Sequence, residues 1–332
     1  MAGVAVVGHL TVDITPQLPG PPVLRPGVLA QVGPAAVALG GAVGNTGRVL
    51  AILGVPVVGT AAIGGDDFGR IVIDRFAGLA GFEFRPQLCD RATGYTIVVE
   101  PPATDRTFWH HPGANAALRL DEVGLDGLDL VHFGYPSLMP GVCADQGAGL
   151  AGFLARAAGE GLVTSLDLAW VDPRSEAAAV DWPAFLRAAL PSVDVLTPSY
   201  DDLASPLGLD ASWDPSRGRA LVEELLGWGA GVVMLSAGEH GVLLGVAGRD
   251  RLGRLARYGG DLSAWAGARL ALPPAPVRRI ATTVGAGDAA TAGLLAALRQ
   301  GHGPQDALRF ATQVAAAVIE QGGTGAFTGL PA

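Results

Sequence analysis

The chain has 332 residues and a formal net charge of −9 at pH 7, and all 22 of its basic residues are arginines. The acidic balance argues against nucleic acid as a partner, and the absence of lysine excludes P-loop, Schiff-base and pyridoxal phosphate enzymes. Two cysteines without metal or disulfide spacing predict a reducing, cytoplasmic location. The N-terminus lacks a signal peptide pattern and no apolar run reaches the roughly 20 residues of a membrane span, so we expect no membrane partner.

The first third of the chain predicts one buried strand and two excursions from a main sheet. The apolar residues 4–7, closed by Gly8, are typical of a strand buried on both faces of a parallel sheet. No GxGxxG motif follows, so the fingerprint of a dinucleotide-binding domain is missing. Six prolines from residue 16 to residue 34 exclude a regular helix, which makes 14–35 the first excursion. Residues 88–112, with a predicted hairpin, form the second.

Between the excursions, a glycine pair opens a predicted helix. Gly40 and Gly41 stand at its start and Gly54 at its end, where glycine commonly terminates a helix. Asn45 lies about one turn after Gly41, so its amide projects from the face at the helix opening and can hydrogen-bond a ligand there. A single strand is predicted over 55–63.

From residue 130 onward, strands and helices alternate. The predicted strands are 130–134, 162–168, 193–197, 231–236 and 241–246. The predicted helices between and after them are 143–159, 182–189, 217–228 and 305–321. This alternation indicates an α/β fold in which helices cover both faces of a parallel sheet. Residues 249–272 are predicted to be an irregular insertion, and the arginines from Arg249 to Arg257 to form a solvated face.

The small-residue turn at 282–290 is the centre of the predicted site. Gly285, Ala286 and Gly287 allow close backbone approach to a ligand, and a helix predicted from Ala289 aims the positive end of its dipole at the same place. Asp288 is therefore either the cap of that helix or a base beside a bound anion. Two glycine-led helix starts suit phosphoryl transfer without a P-loop, although each alone is more often a tight turn.

In their order, these motifs resemble the PfkB family of carbohydrate kinases over nearly the whole chain. The N-terminal signature of the family is similar to 40–45 with 64–69, and its C-terminal signature is matched by 283–289. Residues 199–202 stand where the family has an NxxE stretch, and 235–241 where it has a nucleotide loop. The resemblance implies a ribokinase-like three-layer αβα sandwich, with a mainly parallel central sheet, as a single kinase domain over 1–332. The two excursions would pair as a small β-sheet lid.

The resemblance also implies roles for individual residues. Asp288 would be the general base, and the N–H groups of Gly285, Ala286 and Gly287 would stabilise the transferring phosphoryl group. Candidates for binding the acceptor substrate are Asp13, Gly40, Gly41, Asn45, Arg106 on the lid and Asp167 at the carboxyl end of a strand. Candidates for binding ATP are Ser199, Ser236, Gly238, Gly241 and Thr312. Asp202 would contribute to the Mg²⁺ site.

For two of these candidates a plainer role stays open. Arg106 is about as well explained as a surface arginine, and for Asp167 a site role is only slightly favoured over that of a helix cap. Thr282 stands where the family commonly has an aspartate linked to a monovalent cation, so no potassium site is expected. His110 and His111 are neighbours on a predicted strand and point to opposite faces, which argues against a shared metal.

The predicted function is ATP-dependent phosphorylation of a hydroxyl on a small sugar or sugar acid, with Mg²⁺ as the metal. A nucleoside kinase of the same fold is one alternative. A sugar-binding regulator without turnover is another, suggested by the altered stretch at 199–202. An exposed lid sheet also predicts a homodimer through the lid.

Overall fold

The computed structural model describes residues 3–101 and 106–330. Its strands are β1 Gly3–Gly8, β2 Thr11–Pro16, β3 Ala35–Gly40, β4 Val57–Thr60, β5 Ala62–Gly64, β6 Phe82–Phe84, β7 Gln87–Cys89, β8 Tyr95–Val99, β9 Thr107–His111, β10 Leu128–Gly134, β11 Val163–Leu166, β12 Val195–Leu196, β13 Val232–Ser236, β14 Val242–Val246 and β15 Arg269–Leu272. Its α-helices are α1 Gly41–Ile52, α2 Asp67–Ala77, α3 Pro140–Cys143, α4 Ala148–Gly159, α5 Trp182–Ala189, α6 Tyr200–Leu207, α7 Pro215–Gly227, α8 Gly253–Gly259, α9 Ala286–Arg299 and α10 Pro304–Gln321. None of these helices is long and apolar enough to cross a membrane.

The main sheet has nine strands in the order β15-β14-β13-β12-β11-β10-β1-β4-β6. The seven strands from β13 to β6 are parallel to their neighbours, and β14 and β15 add an antiparallel edge. Alternate side chains of β1 enter different cores: Val4 and Val6 pack with α1 and α9, and Ala5 and Val7 with α4 and α5. The predicted α/β sandwich with a mainly parallel sheet is thereby confirmed.

The lid is a four-stranded sheet in the order β3-β2-β8-β9. Its strands β2 and β3 lie at the two ends of the first predicted excursion, and the segment 17–34 between them has no strand or helix. Proline lacks the N–H that a sheet ladder needs, which explains why pairing stops where the prolines begin. Because β2 follows β1 closely and β3 runs directly into α1, the lid stands over the carboxyl end of β1.

Two predictions of local structure differ from the fold. The predicted strand 55–63 divides into β4 and β5, which belong to different sheets. The predicted helix 143–159 begins later, at Ala148, because Asp145 and Gln146 adopt left-handed φ values of 51° and 57°. These are cases in which tertiary pairing overrides a local apolar pattern.

The predicted solvated face of arginines at 249–257 is wrong for two of its members. Arg251 and Arg254 form ion pairs of 2.6 and 2.9 Å with Asp194, whose side chain is 1% exposed. A buried carboxylate needs such partners, and they lie far from it in the sequence. The arginines therefore fasten the insertion, with α8 and β15, to the main sheet.

Candidate active site

The turn before α9 has the backbone of an anion site. Gly285 is its N-cap residue at φ 78°, and a Cβ atom there would lie 2.6 Å from Cγ2 of Thr324, so only glycine fits. A Cβ on Gly287 would meet nothing within 4 Å, which leaves that stretch of backbone open to a ligand. The first turn of a helix leaves N–H groups without partners in the helix, and its dipole favours an anion there.

Asp288 lies within the first turn of α9, which begins earlier than the predicted Ala289. Its carboxylate is 3% exposed and accepts hydrogen bonds from α1, namely 2.6 Å from Oγ1 of Thr46 and 3.0 Å from Nδ2 of Asn45. The hydroxyl of Tyr135, which follows β10, lies close enough to lower the pKa of this carboxylate as well. These partners explain why Asp288 is not a cap: its oxygens point away from the N–H groups of its own helix.

Burial raises the pKa of Asp288 to about 6, against the hydrogen bonds from Thr46, Tyr135 and Asn45, which lower it. A carboxylate with this pKa is mostly ionised at neutral pH and more basic than an exposed aspartate, which suits a general base. Asn45 is held in place by Thr324, whose hydroxyl donates to its Oδ1. The amide of Asn45, predicted to face a ligand, thus also positions Asp288.

Asp13 lies on the lid strand β2 and faces the same region. Thr11 donates to its Oδ1 at 2.7 Å, and burial raises the pKa of Asp13 to about 6 despite hydrogen bonds from Thr11 and Thr96. A Cβ on Gly40 would collide with the carboxylate of Asp13, and one on Gly41 would lie 2.7 Å from Nδ1 of His9. The glycine pair therefore lets two polar side chains approach the start of α1.

Asp167 follows β11 at the carboxyl edge of the main sheet and is 4% exposed. The N–H of Leu168 donates to its Oδ1 at 2.9 Å. Burial, and then the charges of Asp288 and Asp202, raise the pKa of Asp167 well above its usual value. These charges act on one another because the loops after β11 and β12 meet the start of α9 at this edge.

Ser199 and Asp202 form a capping box at the start of α6. Oδ2 of Asp202 accepts from the N–H and the hydroxyl of Ser199 at 2.9 and 2.6 Å, and burial raises the pKa of Asp202 to about 6. Ser199 also forms a bridge with Ser236, the last residue of β13. The capping box gives this altered stretch a structural role that the sequence did not predict.

The remaining nucleotide candidates lie further along the chain. Gly238 and Gly241, at φ 54° and 92°, bound a tight turn between β13 and β14. Thr312 lies on α10, where its hydroxyl donates to the carbonyl of Arg309 at 2.8 Å. No hydrogen bond or ion pair among the described residues joins these three positions directly to Asp288.

The lid touches the anion turn from two places. Nη1 of Arg106 donates to the hydroxyl of Thr283, and the hydroxyl of Thr282 donates to Oε1 of Glu100 at 3.1 Å. Arg106 is thereby placed beside the turn that contains Gly285. A guanidinium there can bind a phosphate or carboxylate oxygen with charge-assisted hydrogen bonds.

Several polar residues of this site were missed in the sequence. Thr46 holds Asp288, Tyr135 lowers the pKa of Asp288, and Thr324 holds Asn45. His9 lies behind the glycine pair, with its ring centroid 5.0 Å from that of His110. For Thr46, its position next to Asn45 was the one available signal. For the other residues, nothing local in the sequence distinguishes them from core residues.

The sequence profile of the pfkB family carbohydrate kinases matches residues 1–331. A search of curated proteins gives no match. Among solved structures, the chain is similar to the E. coli protein assigned as ribokinase II, in complex with ATP and Mg²⁺ (21% identity, 98% of this chain and 96% of that one, TM-score 0.72). It is similar also to Arabidopsis thaliana ribokinase complexed with ribose and ATP (18%, 97% and 94%, 0.68) and to Burkholderia thailandensis nucleoside kinase in complex with inosine (18%, 97% and 93%, 0.69). At identities this low, the structural similarity shows the shared fold alone.

Proposed function

The chain belongs to the pfkB family of carbohydrate kinases, which are phosphotransferases that use ATP, and from this premise we propose that it phosphorylates a hydroxyl of a small sugar or sugar acid. The observation that carries the proposal is the geometry at Asp288. A buried carboxylate is held by Asn45 and Thr46 beside the open first turn of α9. A base next to an anion-binding helix start is what transfer of a phosphoryl group to a hydroxyl requires.

In the proposed mechanism, Asp288 accepts the proton of the acceptor hydroxyl as that oxygen attacks the terminal phosphoryl group of ATP. The N–H groups at Gly285, Ala286 and Gly287 stabilise the negative charge on the transferred group. Arg106 adds a positive charge from the lid, since the chain has no lysine to supply one. Asp13, Asn45 and Asp167 bind and orient the acceptor.

The donor side is proposed around Ser199, Ser236, Gly238, Gly241 and Thr312. Its residues fit Mg²⁺ by their chemistry, because Asp202 offers a half-buried carboxylate beside the hydroxyl of Ser199, and Mg²⁺ prefers oxygen ligands and keeps several waters. Asp202 would hold the ion through its water shell. The ion, when bound, neutralises charge on the phosphates of ATP.

We further propose one kinase domain over 1–332 in a cytoplasmic protein, with a homodimer formed through the lid. Phe108 and Trp109 on β9 are 47% and 44% exposed, and β9 is an edge strand of the lid sheet. An exposed edge with large apolar side chains favours pairing with another copy. Sedimentation of the wild type and of Trp109→Ser tests this, since a monomeric wild type contradicts it.

The function is tested by measuring ADP release with MgATP across D-ribose, D-fructose, D-gluconate, glycerol and inosine. We expect turnover with at least one sugar or sugar acid and none with Asp288→Asn. Turnover of inosine alone would favour a nucleoside kinase. Binding of a sugar without ADP release in any case would favour a sugar-binding regulator.

A further inference from the structure

Two histidines form a polar pair behind the glycine turn, next to the acceptor candidates. His9 lies between β1 and β2 and is 3% exposed, and His110 lies on the lid strand β9. Their ring centroids are 5.0 Å apart, and the ring of His9 is 6.0 Å from that of Tyr135, whose hydroxyl lowers the pKa of Asp288. On the other side, Nδ1 of His110 is 3.2 Å from the hydroxyl of Thr96. The pair therefore lies between the lid and the region of Asp288.

Three of the four ring nitrogens of this pair lack partners in the part of the chain that the structure describes. Both nitrogens of His9 and Nε2 of His110 are buried without a hydrogen bond. Leaving a buried polar group unsatisfied is costly, so it usually marks a bound molecule or water. Since Thr96 pairs with Asp13 in the register of β2 and β8, these nitrogens and the Asp13 carboxylate belong to one cluster.

The protonation of the pair determines what can bind. Burial lowers the pKa of His9 well below its usual value, and burial together with His111 lowers the pKa of His110 to about 4. Both rings are therefore neutral at pH 7, and each has one nitrogen that donates and one that accepts. A hydroxyl can do both in return, whereas a carboxylate can only accept.

The charges around the pair also favour a hydroxyl over a carboxylate. Asp13, Asp167 and Asp288 are carboxylates at this site, and the charge of Asp13 acts on Asp288. Arg106 hydrogen-bonds Thr283 at the anion turn, which is the phosphoryl end of the site. A carboxylate on the acceptor, placed at the histidines, would therefore face like charges.

Resting on the kinase function proposed above, we propose that His9 and His110 form a subsite for hydroxyls of the acceptor that are not phosphorylated, and that the acceptor is a neutral polyhydroxylated molecule rather than a sugar acid. This assigns both histidines to substrate specificity. Their part is to bind and orient, while Asp288 takes the proton.

The test measures binding by calorimetry, without ATP, for the pairs D-ribose and D-ribonate, D-glucose and D-gluconate, and for D-fructose. We expect a neutral sugar to bind and its aldonate to bind at least about tenfold more weakly. His9→Leu and His110→Leu should each weaken binding of the neutral sugar about three- to tenfold, the usual effect of one hydrogen bond. His9→Asn, which keeps a donor and an acceptor, should retain most of the affinity.

His302→Leu is the matched control, because His302 also has a buried unpartnered ring nitrogen, Nδ1, among the described residues but follows the far end of α9 from Asp288. Thermal unfolding of each variant verifies that it folds. If His9→Leu does not fold, His110→Leu and His9→Asn provide the test instead. Tighter binding of an aldonate than of its aldose, no binding of any neutral sugar, or losses equal to the control would overturn the inference. Sugar binding without ADP release when MgATP is added would defeat the kinase function and leave the subsite intact.

Discussion

Removing the hydroxyl that Thr46 donates to Asp288 should make the base harder to ionise. Thr46 is fully buried and its Oγ1 lies 2.6 Å from Oδ1 of Asp288, so Thr46→Val deletes the hydrogen bond with little change in shape. A hydrogen bond to a charged group contributes about 1.5–3 kcal/mol, and one pKa unit corresponds to about 1.4 kcal/mol. The pKa of Asp288, about 6 in the wild type, should therefore rise by at least about one unit.

The assay is the pH dependence of kcat/KM for the acceptor found by ADP release. The acidic limb, which reports the base of the free enzyme, should move upward by about one unit, so that kcat/KM falls about fivefold at pH 6 and little at pH 8.5. Thr291→Val is the control, because Thr291 is buried on α9 and its hydroxyl has no partner among the described residues. An unmoved acidic limb in Thr46→Val, or an equal shift in both variants, would refute the reasoning.

Three further predictions concern carboxylates of the structure. Asp288→Asn should abolish transfer yet raise the free energy of unfolding by about 3 kcal/mol at pH 7.5. A pKa raised from 3.8 to about 6 means that the folded state loses stability as the pH rises between those values, at about 1.4 kcal/mol for each pKa unit. Urea unfolding at pH 4 and 7.5 measures this, and a stability gain equal at both pH values would contradict it. Asp202→Ala should raise the Mg²⁺ concentration for half-maximal activity several-fold, whereas Asp201→Ala, an exposed neighbour, should not; superimposable magnesium titrations would exclude a metal role. Arg254→Ala should destabilise the fold by about 2 kcal/mol without changing kcat/KM, because it removes two hydrogen bonds from the buried Asp194; unchanged urea unfolding would show that the ion pair adds nothing.

Elements whose pattern is local were predictable from the sequence. Alternate side chains of the apolar run in β1 are buried in two different cores. A strand covered on both faces could therefore be predicted from its residues alone. The turn at Gly285 was equally predictable, because a left-handed φ and a close backbone approach restrict which residue fits there. The division of 55–63 between two sheets could not be predicted, since either half suits a strand and only the pairing partners show that the halves belong to different sheets.

The sequence by itself therefore determined the α/β alternation, the two glycine-led helix starts, and Asn45 and Asp288 as separate candidate site residues. Only the tertiary structure decided what each side chain does. Asn45 and Asp288 are 243 residues apart, yet Nδ2 of Asn45 lies 3.0 Å from Oδ2 of Asp288. Asp194 pairs with Arg251 and Arg254, which are 57 and 60 residues away from it. Hydrogen bonds and burial act between neighbours in space, and these set the pKa of Asp288 and leave the nitrogens of His9 without partners, so neither property can be deduced from residues along the chain.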